Sequence, residues 1–280
     1  MQITLRDIVA EIRSLEPFPG VALRVLEISG RKSVVPGDLI EVIQTDPAIT
    51  AKVLKLCNSA YYGFQREVAS LREAGNMLGI ASLVNLVITS CANRYFKNYG
   101  GATDESQERL WKNAFTNALS ARLLAEANGD IDAERAYTAG LLQNIGHLVL
   151  DRFMHEEQAS ILQQVQQGQL LLDAERRVLG LHHAEIGARL ATAWGLPEVL
   201  IDTIRYHHTP EKATVDPVLT GICHLAETLT WAIGADEGLD EATDEASNVA
   251  LSLTGSDAGS LGEIRDLLGV ELTKAAAFLS

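Results

Sequence analysis

One stretch, residues 138–151, most constrains the fold, because its apolar side chains recur at helical spacing. The six apolar positions are Leu141, Leu142, Ile145, Leu148, Val149 and Leu150. Gly140 and Gly146 allow neighbouring backbones to come close. Two adjacent amides, Gln143 and Asn144, lie at the centre, and a buried polar pair costs free energy unless partners satisfy it. The pattern predicts one buried helix with a polar centre that other elements must satisfy.

The same helical spacing continues through the rest of the chain. One-sided apolar stripes run through residues 4–15, 108–127 and 217–233, and no stretch has the pattern of a strand. Apolar residues make up 47% of the 280 positions and aromatic residues only 5%, a composition that suits helices packed on helices. We therefore predict an all-α fold.

Charge and composition exclude several kinds of partner. The net charge of −14 repels phosphate backbones, so we expect no nucleic-acid partner. The cysteines at 57, 91 and 223 form no CxxC motif and are interpreted as buried free thiols of a reducing compartment. The N-terminus lacks a signal-peptide pattern, and no apolar run approaches the ~18 residues that span a bilayer. We expect a cytoplasmic protein without membrane contact.

A polar stretch at 97–106 divides the chain. It contains Gly100-Gly101 and has no periodicity, so we predict an N-terminal helical subdomain at 1–100 and a second helical subdomain at 101–280. A long surface loop within one domain is the alternative interpretation. Asp46-Pro47 and Asp216-Pro217 each predict a helix start, Ser70 to Glu73 has the form of a capping box, and 235–245 is interpreted as an acidic loop.

Two groups of residues could carry chemistry. Five of the seven histidines lie between 182 and 224, including the pairs His182-His183 and His207-His208. Such pairs could donate imidazoles to a metal, but a His-His pair at a helix end can equally cap the helix, and a metal site needs three or four converging ligands. The polar-aromatic turn at 58–63 is either a functional feature or an ordinary helix stop.

Ordered motifs extend over most of the chain. The second half contains, in order, Leu110-Trp-Lys-Asn113, Gly140-Leu-Leu-Gln-Asn-Ile-Gly146, His182-His-Ala-Glu-Ile-Gly187, Trp194-Gly-Leu-Pro197, Ile204-Arg-Tyr-His-His208 and His224-Leu-Ala-Glu227. The first half contains Pro17-Phe-Pro-Gly20, Gln44-Thr-Asp-Pro47, Lys55-Leu-Cys-Asn-Ser-Ala-Tyr-Tyr-Gly63 and Ser70-Leu-Arg-Glu-Ala74. Over about residues 5–270 this order resembles the HD phosphohydrolase superfamily and, within it, the HDOD (HD-related output domain) family of bacterial signalling proteins. The resemblance implies an HD-like helical core with an N-terminal helical subdomain.

The resemblance also implies where a metal would be held. Catalytic HD enzymes use a His of the first helix, an adjacent His-Asp pair and a distant Asp, and the matching positions here are Asn113, Gln143-Asn144 and Glu227. Amide oxygens are neutral, weak donors, and a poorly held metal cannot acidify its water. We predict that these four side chains converge in the core, hold no metal and catalyse nothing. They are called the HD position below.

The expected function follows from this altered ligand set. HDOD proteins are associated with two-component and cyclic-nucleotide signalling, so we expect a non-catalytic regulatory module that binds a protein partner and needs no cofactor. His183, His207 and His208 match histidines that serve metals in some related HD enzymes, and with His182 they form a residual histidine cluster that could hold a divalent metal weakly. Two alternatives remain open. One is a metal-dependent phosphohydrolase whose altered metal ligands are His183, His207 and His208. The other is a small-nucleotide sensor with Arg205 beside the histidines.

Overall fold

A computed structural model describes residues 5–31, 33–99, 103–234 and 247–279. All regular structure in these ranges is helical, so the predicted all-α fold is confirmed. The first six helices are α1 (Leu5–Ser14), α2 (Gly20–Ser29), α3 (Pro36–Gln44), α4 (Pro47–Cys57), α5 (Leu71–Leu78) and α6 (Ile80–Tyr99). Gly100-Gly101 and the acidic segment 235–245 lie outside the described residues, and the division into two subdomains stays a prediction.

Ten helices follow in the second half. They are α7 (Asp104–Asn128), α8 (Ala133–Leu142), α9 (His147–Gln166), α10 (Leu171–Leu179), α11 (His183–Trp194), α12 (Glu198–Tyr206), α13 (Pro217–Ala232), α14 (Asn248–Thr254), α15 (Ala258–Lys274) and α16 (Ala276–Leu279). A 3-10 turn at Pro210–Lys212 joins α12 to α13. No helix in the described part of the chain combines the length and apolar character needed to cross a membrane.

Local capping chemistry explains where several helices begin. The Asp46 carboxylate accepts hydrogen bonds from the backbone N–H groups of Ala48 and Ile49 at the start of α4. At α5, Ser70 Oγ accepts from the N–H of Glu73, as a capping box requires. The Glu73 carboxylate, however, accepts from the N–H of Ala69 and not from that of Ser70. The predicted helix starts are therefore observed, with the second half of this box displaced by one residue.

The predicted single helix over 138–151 is wrong. The structure breaks it into the end of α8 at Leu142, a turn over 143–146 and the start of α9 at His147. Backbone dihedrals at both edges of the turn stay near helical values, with φ −56° and ψ −37° at Gln143 and φ −63° and ψ −28° at Gly146. The apolar spacing consequently passes through the break almost unchanged. Helix α9 then continues without interruption to Gln166.

A close backbone contact places this turn. A Cβ built on Gly146 would lie 1.9 Å from the carbonyl oxygen of His183 and 2.9 Å from the amide nitrogen of Gly187. Only a glycine can bring the turn this close to the start of α11. The contact therefore sets the position of Asn144 relative to the histidines at 183 and 207–208.

The two halves share one hydrophobic core. Helix α7 packs along α8 and α13 in the second half and also contacts α6 of the first half. Between the halves, the Phe18 ring stacks on Trp194 at a centroid distance of 5.2 Å, and Tyr95 meets the same indole at 4.9 Å. All three cysteines are buried free thiols, as predicted.

The polar-aromatic turn at 58–63 stops α4 and packs against the C-terminal helix. The Asn58 side-chain amide donates to the carbonyl oxygen of Val68 at 2.9 Å and accepts from the N–H of Val68 at 2.8 Å. This pair of bonds closes the loop. Tyr61 and Tyr62 then lie against Phe278, with ring centroids 5.4 and 6.3 Å away. The helix-stop interpretation accounts for the stretch, and its aromatic rings have a packing role.

Candidate functional site

Three of the four residues at the HD position meet in the core. Asn113 lies on α7, Asn144 lies in the turn after α8, and Glu227 lies on α13. The Asn144 side-chain nitrogen Nδ2 donates to Glu227 Oε1 at 2.7 Å and to Asn113 Oδ1 at 3.3 Å. Asn117, one turn along α7, donates to the same Asn113 oxygen at 3.1 Å. All four side chains are buried, and they form what we call the amide network.

Gln143 does not join this network. Its side chain is fully buried, yet neither its Oε1 nor its Nε2 atom has a hydrogen-bond partner among the described residues. Hydrogen bonds thus join the positions of the first His, the pair's Asp and the distant Asp, and the position of the pair's His takes no part in them.

The amide network does not fit a metal ion. The Asn144 NH₂ group points at both Glu227 Oε1 and Asn113 Oδ1, the two oxygens that a cation would need. Turning the amide over would place its oxygen 2.7 Å from a carboxylate oxygen, which is repulsive. The hydrogen-bond donor therefore stands where the positive charge of a metal would stand, and neutral amides lack the donor strength of imidazole and carboxylate.

The histidines form a second cluster beside the network. Potential ligand atoms of His183, His207 and His208 all lie within 4.8 Å of one another. His183 Nε2 is 2.8 Å from His208 Nε2, and Glu227 Oε2 is 3.7 Å from His207 Nε2 and 3.6 Å from His208 Nε2. A carboxylate therefore accompanies these histidines: Glu227 Oε1 accepts from Asn144, and Glu227 Oε2 faces His207 and His208.

Hydrogen bonds at the outer ring nitrogens determine the tautomers. His207 Nδ1 lies 2.8 Å from the carbonyl oxygen of Ile204, which can only accept, so Nδ1 carries the proton. His183 Nδ1 similarly donates to Glu175 Oε2 at 2.9 Å, and that oxygen also accepts the His183 backbone N–H at 2.8 Å. In neutral rings the Nε2 atoms of both histidines therefore carry lone pairs. Burial also lowers the pKa of His207 well below its usual range, which keeps this ring neutral.

His147 and Glu175 belong to the cluster but were missed from the sequence. The His147 ring stacks on His183 at a centroid distance of 4.3 Å, and burial lowers the pKa of His147 to about 3. Burial also raises the pKa of the Glu175 carboxyl. A signal existed for Glu175, because it lies four residues after Leu171 and four before Leu179, on the buried face of α10. His147 directly follows the Gly146 turn, and no periodicity marks it.

His182 caps a helix and stays out of the ligand cluster. It is the N-cap of α11, where its ring Nδ1 accepts the backbone N–H of Glu185 at 3.3 Å. Glu185 in return accepts the His182 backbone N–H at 3.2 Å. The capping interpretation therefore holds for this member of the first His-His pair. His224, on α13, supports the second pair by donating from Nδ1 to the carbonyl oxygen of His207 at 2.9 Å.

A cleft of about 670 Å³ opens beside the histidine cluster. Its lining includes the His208 side chain, which is 6% exposed, and four cationic side chains, Arg176, Arg189, Arg205 and Lys212. Two carboxylates, Asp173 and Glu185, partly offset this charge, and Arg176 is paired with Glu185 at 3.0 Å. The cleft is thus a local positive surface on a chain of net charge −14.

A family profile confirms what this arrangement indicates. The profile of the HDOD domain matches residues 15–210, which hold the N-terminal motifs, Asn113, Asn144 and the residual histidines. The chain belongs to the HDOD domain family. Among sequence relatives, this HDOD protein is 32% identical over 236 residues to an uncharacterised protein from Treponema pallidum (strain Nichols). That match covers 81% of this chain but 44% of the relative, so the chain spans less than half the relative's length.

Solved structures share the fold of this HDOD protein over nearly its whole length. An HDOD domain protein of unknown function from Geobacter sulfurreducens has a TM-score of 0.75 at 24% identity, covering 98% of this chain and 94% of the other. A candidate phosphohydrolase from Shewanella amazonensis SB2B has a TM-score of 0.73 at 26% identity, with 98% of both chains covered. A candidate signal transduction protein from Marinobacter aquaeolei VT8 reaches 0.77 at 24% identity, covering 98% of this chain and 64% of that one.

Proposed function

We propose that this HDOD protein is a regulatory module that acts by binding a protein partner and hydrolyses no phosphate ester at the HD position. One observation carries the proposal: the Asn144 amide donates to both Glu227 and Asn113 where a catalytic metal would be held. A phosphohydrolase must polarise a phosphoryl oxygen and generate hydroxide, and a bound metal does both. A hydrogen-bonded amide does neither.

The names of similar proteins point in two directions, so turnover must be measured. The Marinobacter aquaeolei structure is a candidate signal transduction protein, in agreement with a regulatory role, whereas the Shewanella amazonensis structure is a candidate phosphohydrolase. We would assay the full chain against p-nitrophenyl phosphate and bis-p-nitrophenyl phosphate with Mn²⁺ or Mg²⁺ added. No turnover above the rate of buffer with metal is expected. Turnover that His183→Ala or His207→Ala abolishes would replace this proposal with the phosphohydrolase alternative.

Partner binding requires a direct test with a surface control. Tagged protein spanning residues 1–280 would be used to capture partners from native cell extract, and each captured protein would be purified and titrated against the bait. A specific partner should bind with one stoichiometry whether or not EDTA is present. If purified candidates do not bind, the partner-binding proposal fails, whatever the result of the turnover assay.

A second candidate function, a sensor of small phosphate-bearing ligands, is favoured by the cationic cleft. Arg189, Arg205 and Lys212 project into it without an ion pair to another described residue, so their charge is available to an anion. We would measure the melting temperature with inorganic phosphate, AMP and a cyclic dinucleotide. A sensor should melt later with one of these, and Arg205→Ala should remove the shift while Arg265→Ala, an exposed arginine on α15, should keep it. No shift with any probe would reject this candidate.

A further inference from the structure

We infer that an acidic groove between the two halves of the chain binds a basic amphipathic helix of a partner protein. The groove has a volume of about 650 Å³ and lies between the end of α2, the starts of α6, α8 and α12, and the loop before α8. It shares no lining residue with the cationic cleft. The inference rests on the proposed function, because it names the surface and the kind of partner.

The floor of the acidic groove is apolar. Leu26 of α2, Val84 of α6 and Leu200 of α12 line it with buried side chains. Ala81 and Pro197 also line it and are exposed to solvent. Apolar side chains of a partner that enter such a groove leave water, and this transfer drives association at the centre of a protein interface. The floor therefore favours an occupant with apolar anchors.

Carboxylates surround this apolar floor. Asp130 and Asp132 are exposed in the loop before α8, and Glu134 is half-buried in the first turn of that helix. None of these three forms an ion pair with another residue in the described ranges. Arg135, the one cationic side chain in the described lining, is paired with Asp216 at 2.9 Å. The groove thus presents uncompensated negative charge.

Hydrogen bonds beside the groove hold its walls in place. Asn85 Nδ2 donates to Glu134 Oε2 at 2.6 Å, and Ser82 Oγ donates to Glu134 Oε1 at 3.2 Å. Thr138 Oγ1 donates to Asn85 Oδ1 at 2.8 Å. These bonds join α6 to α8, so the groove is formed without a partner and binding needs little ordering of its walls. Both donors to the Glu134 carboxylate are neutral, so they orient its charge without cancelling it.

An apolar floor with an acidic rim selects one kind of occupant. An amphipathic helix presents apolar side chains on one face and can carry Lys and Arg at the edges of that face. Regular structure in the described ranges is all helical, so those ranges offer no sheet edge to which an extended strand could add. The net charge of −14 attracts a basic segment and opposes a second copy of this chain.

Designed peptides serve as the probe for this groove. One labelled peptide, about five turns long, would carry Leu along one helical face and Lys at its edges. A scrambled peptide of the same composition would spread the leucines over all faces. Each would be titrated with the 280-residue chain and followed by fluorescence anisotropy. We expect the patterned peptide to bind about tenfold more tightly, because charge alone cannot fill the apolar floor. Equal binding of the two peptides would overturn the inference.

A matched pair of variants locates the peptide on the apolar floor. Ala81→Lys adds a long cationic side chain at an exposed helical position of the groove, and Ala51→Lys makes the same change at an exposed position of α4 outside it. Ala81→Lys should weaken binding of the patterned peptide about tenfold, through steric overlap and like-charge repulsion. Ala51→Lys should bind like the wild type. Equal weakening in both variants would overturn the inference.

A second matched pair tests the acidic rim. Asp130→Asn combined with Asp132→Asn removes two negative charges and keeps a capping side chain at the start of α8. Asp38→Asn combined with Asp46→Asn removes two charges outside the groove and keeps the cap of α4. At low salt the first pair should weaken binding by about threefold or more and the second should not, and added NaCl should reduce this difference. Circular dichroism checks that every variant keeps its helices.

The result can be separated from the outcome of partner capture. A captured partner that binds Ala81→Lys as tightly as the wild type leaves the partner-binding proposal standing and overturns the groove. If no partner is captured, loss of peptide binding in the groove variants alone still supports the groove. Light scattering after gel filtration tests the other occupant. A dimer that Ala81→Lys breaks would place a second copy in the groove and overturn the inference.

Discussion

Asn144 Nδ2 lies 2.7 Å from Glu227 Oε1, and this single bond joins α13 to the turn that follows α8. Both side chains are buried, so the amide supplies a donor where the family's catalytic relatives are expected to have a metal. The other Glu227 oxygen remains directed at the histidine cluster. The Glu227 carboxylate thus contacts both the amide network and the histidine cluster, so substitutions in either group test its environment.

Asn144→Asp should make stability depend on pH. The new carboxylate would lie against Glu227, and two adjacent buried carboxylates cannot both ionise easily, so one pKa rises in the folded state. A raised carboxyl pKa means that the folded state binds more protons, so stability is lost as pH rises above about 4, by up to about 1.4 kcal/mol per pH unit. Urea unfolding at several pH values in EDTA measures this. Asn144→Ala is the matched control, and an equal pH dependence in both variants would contradict the prediction.

His147 should make the protein lose stability on acidification. Burial lowers its pKa to about 3 in the folded state, whereas an unfolded histidine titrates near 6.5. Between these values the unfolded state binds more protons, so stability falls as pH decreases from about 6.5 towards 3. The raised pKa of Glu175 has the opposite sign and removes stability as pH rises.

The His147 contribution can be isolated by comparing pH slopes. We expect His147→Gln to flatten the loss of stability below pH 6.5, with the pH slope reduced by up to about one proton. Urea unfolding of metal-free protein at half-unit pH steps is the measurement. A slope below pH 6.5 that is unchanged in His147→Gln would show that this ring is protonated in the fold.

Gly146→Ala should destabilise the fold severely. The new Cβ would meet the carbonyl oxygen of His183 at 1.9 Å, and both atoms belong to backbones that cannot rotate away. We expect a loss of at least about 3 kcal/mol, at or beyond the upper end for overpacked sites. Gly262→Ala in α15 is the control, since nothing lies within 4 Å of its added Cβ, and it should keep or gain up to about 1 kcal/mol. Similar melting temperatures for the two variants would contradict the observed contact.

The three thiols should resist labelling until the protein unfolds. Burial raises the pKa of Cys57 and Cys223, and raises that of Cys91 to about 12. Since the thiolate is the reactive form, native protein at pH 8 should react very slowly with a thiol-specific disulfide reagent. Three groups per chain should react rapidly in denaturant. A thiol that labels rapidly in native conditions would show that its helix opens locally.

Periodicity, capping residues and motif order are enough to decide the fold class from the sequence. Asp46 begins α4, the apolar stripes form helices, and Asn113, Asn144 and Glu227 meet in the core. The helix starts depend on residues close in sequence. The meeting of the three core residues was predicted only because the motifs resemble a family whose fold brings those positions together.

Tertiary structure alone decided the chemistry of the site. Gln143 and Gly146, at the two edges of the turn, keep near-helical dihedrals, so the break in the predicted helix left no trace in the apolar pattern. The position of Glu227 Oε2 beside His207, and the stacking of His147 on His183, depend on packing between helices distant in the chain. Spacing along a sequence specifies which side chains share a helix face, whereas interatomic distances between helices are set by the close approach of backbones, as at Gly146 and His183.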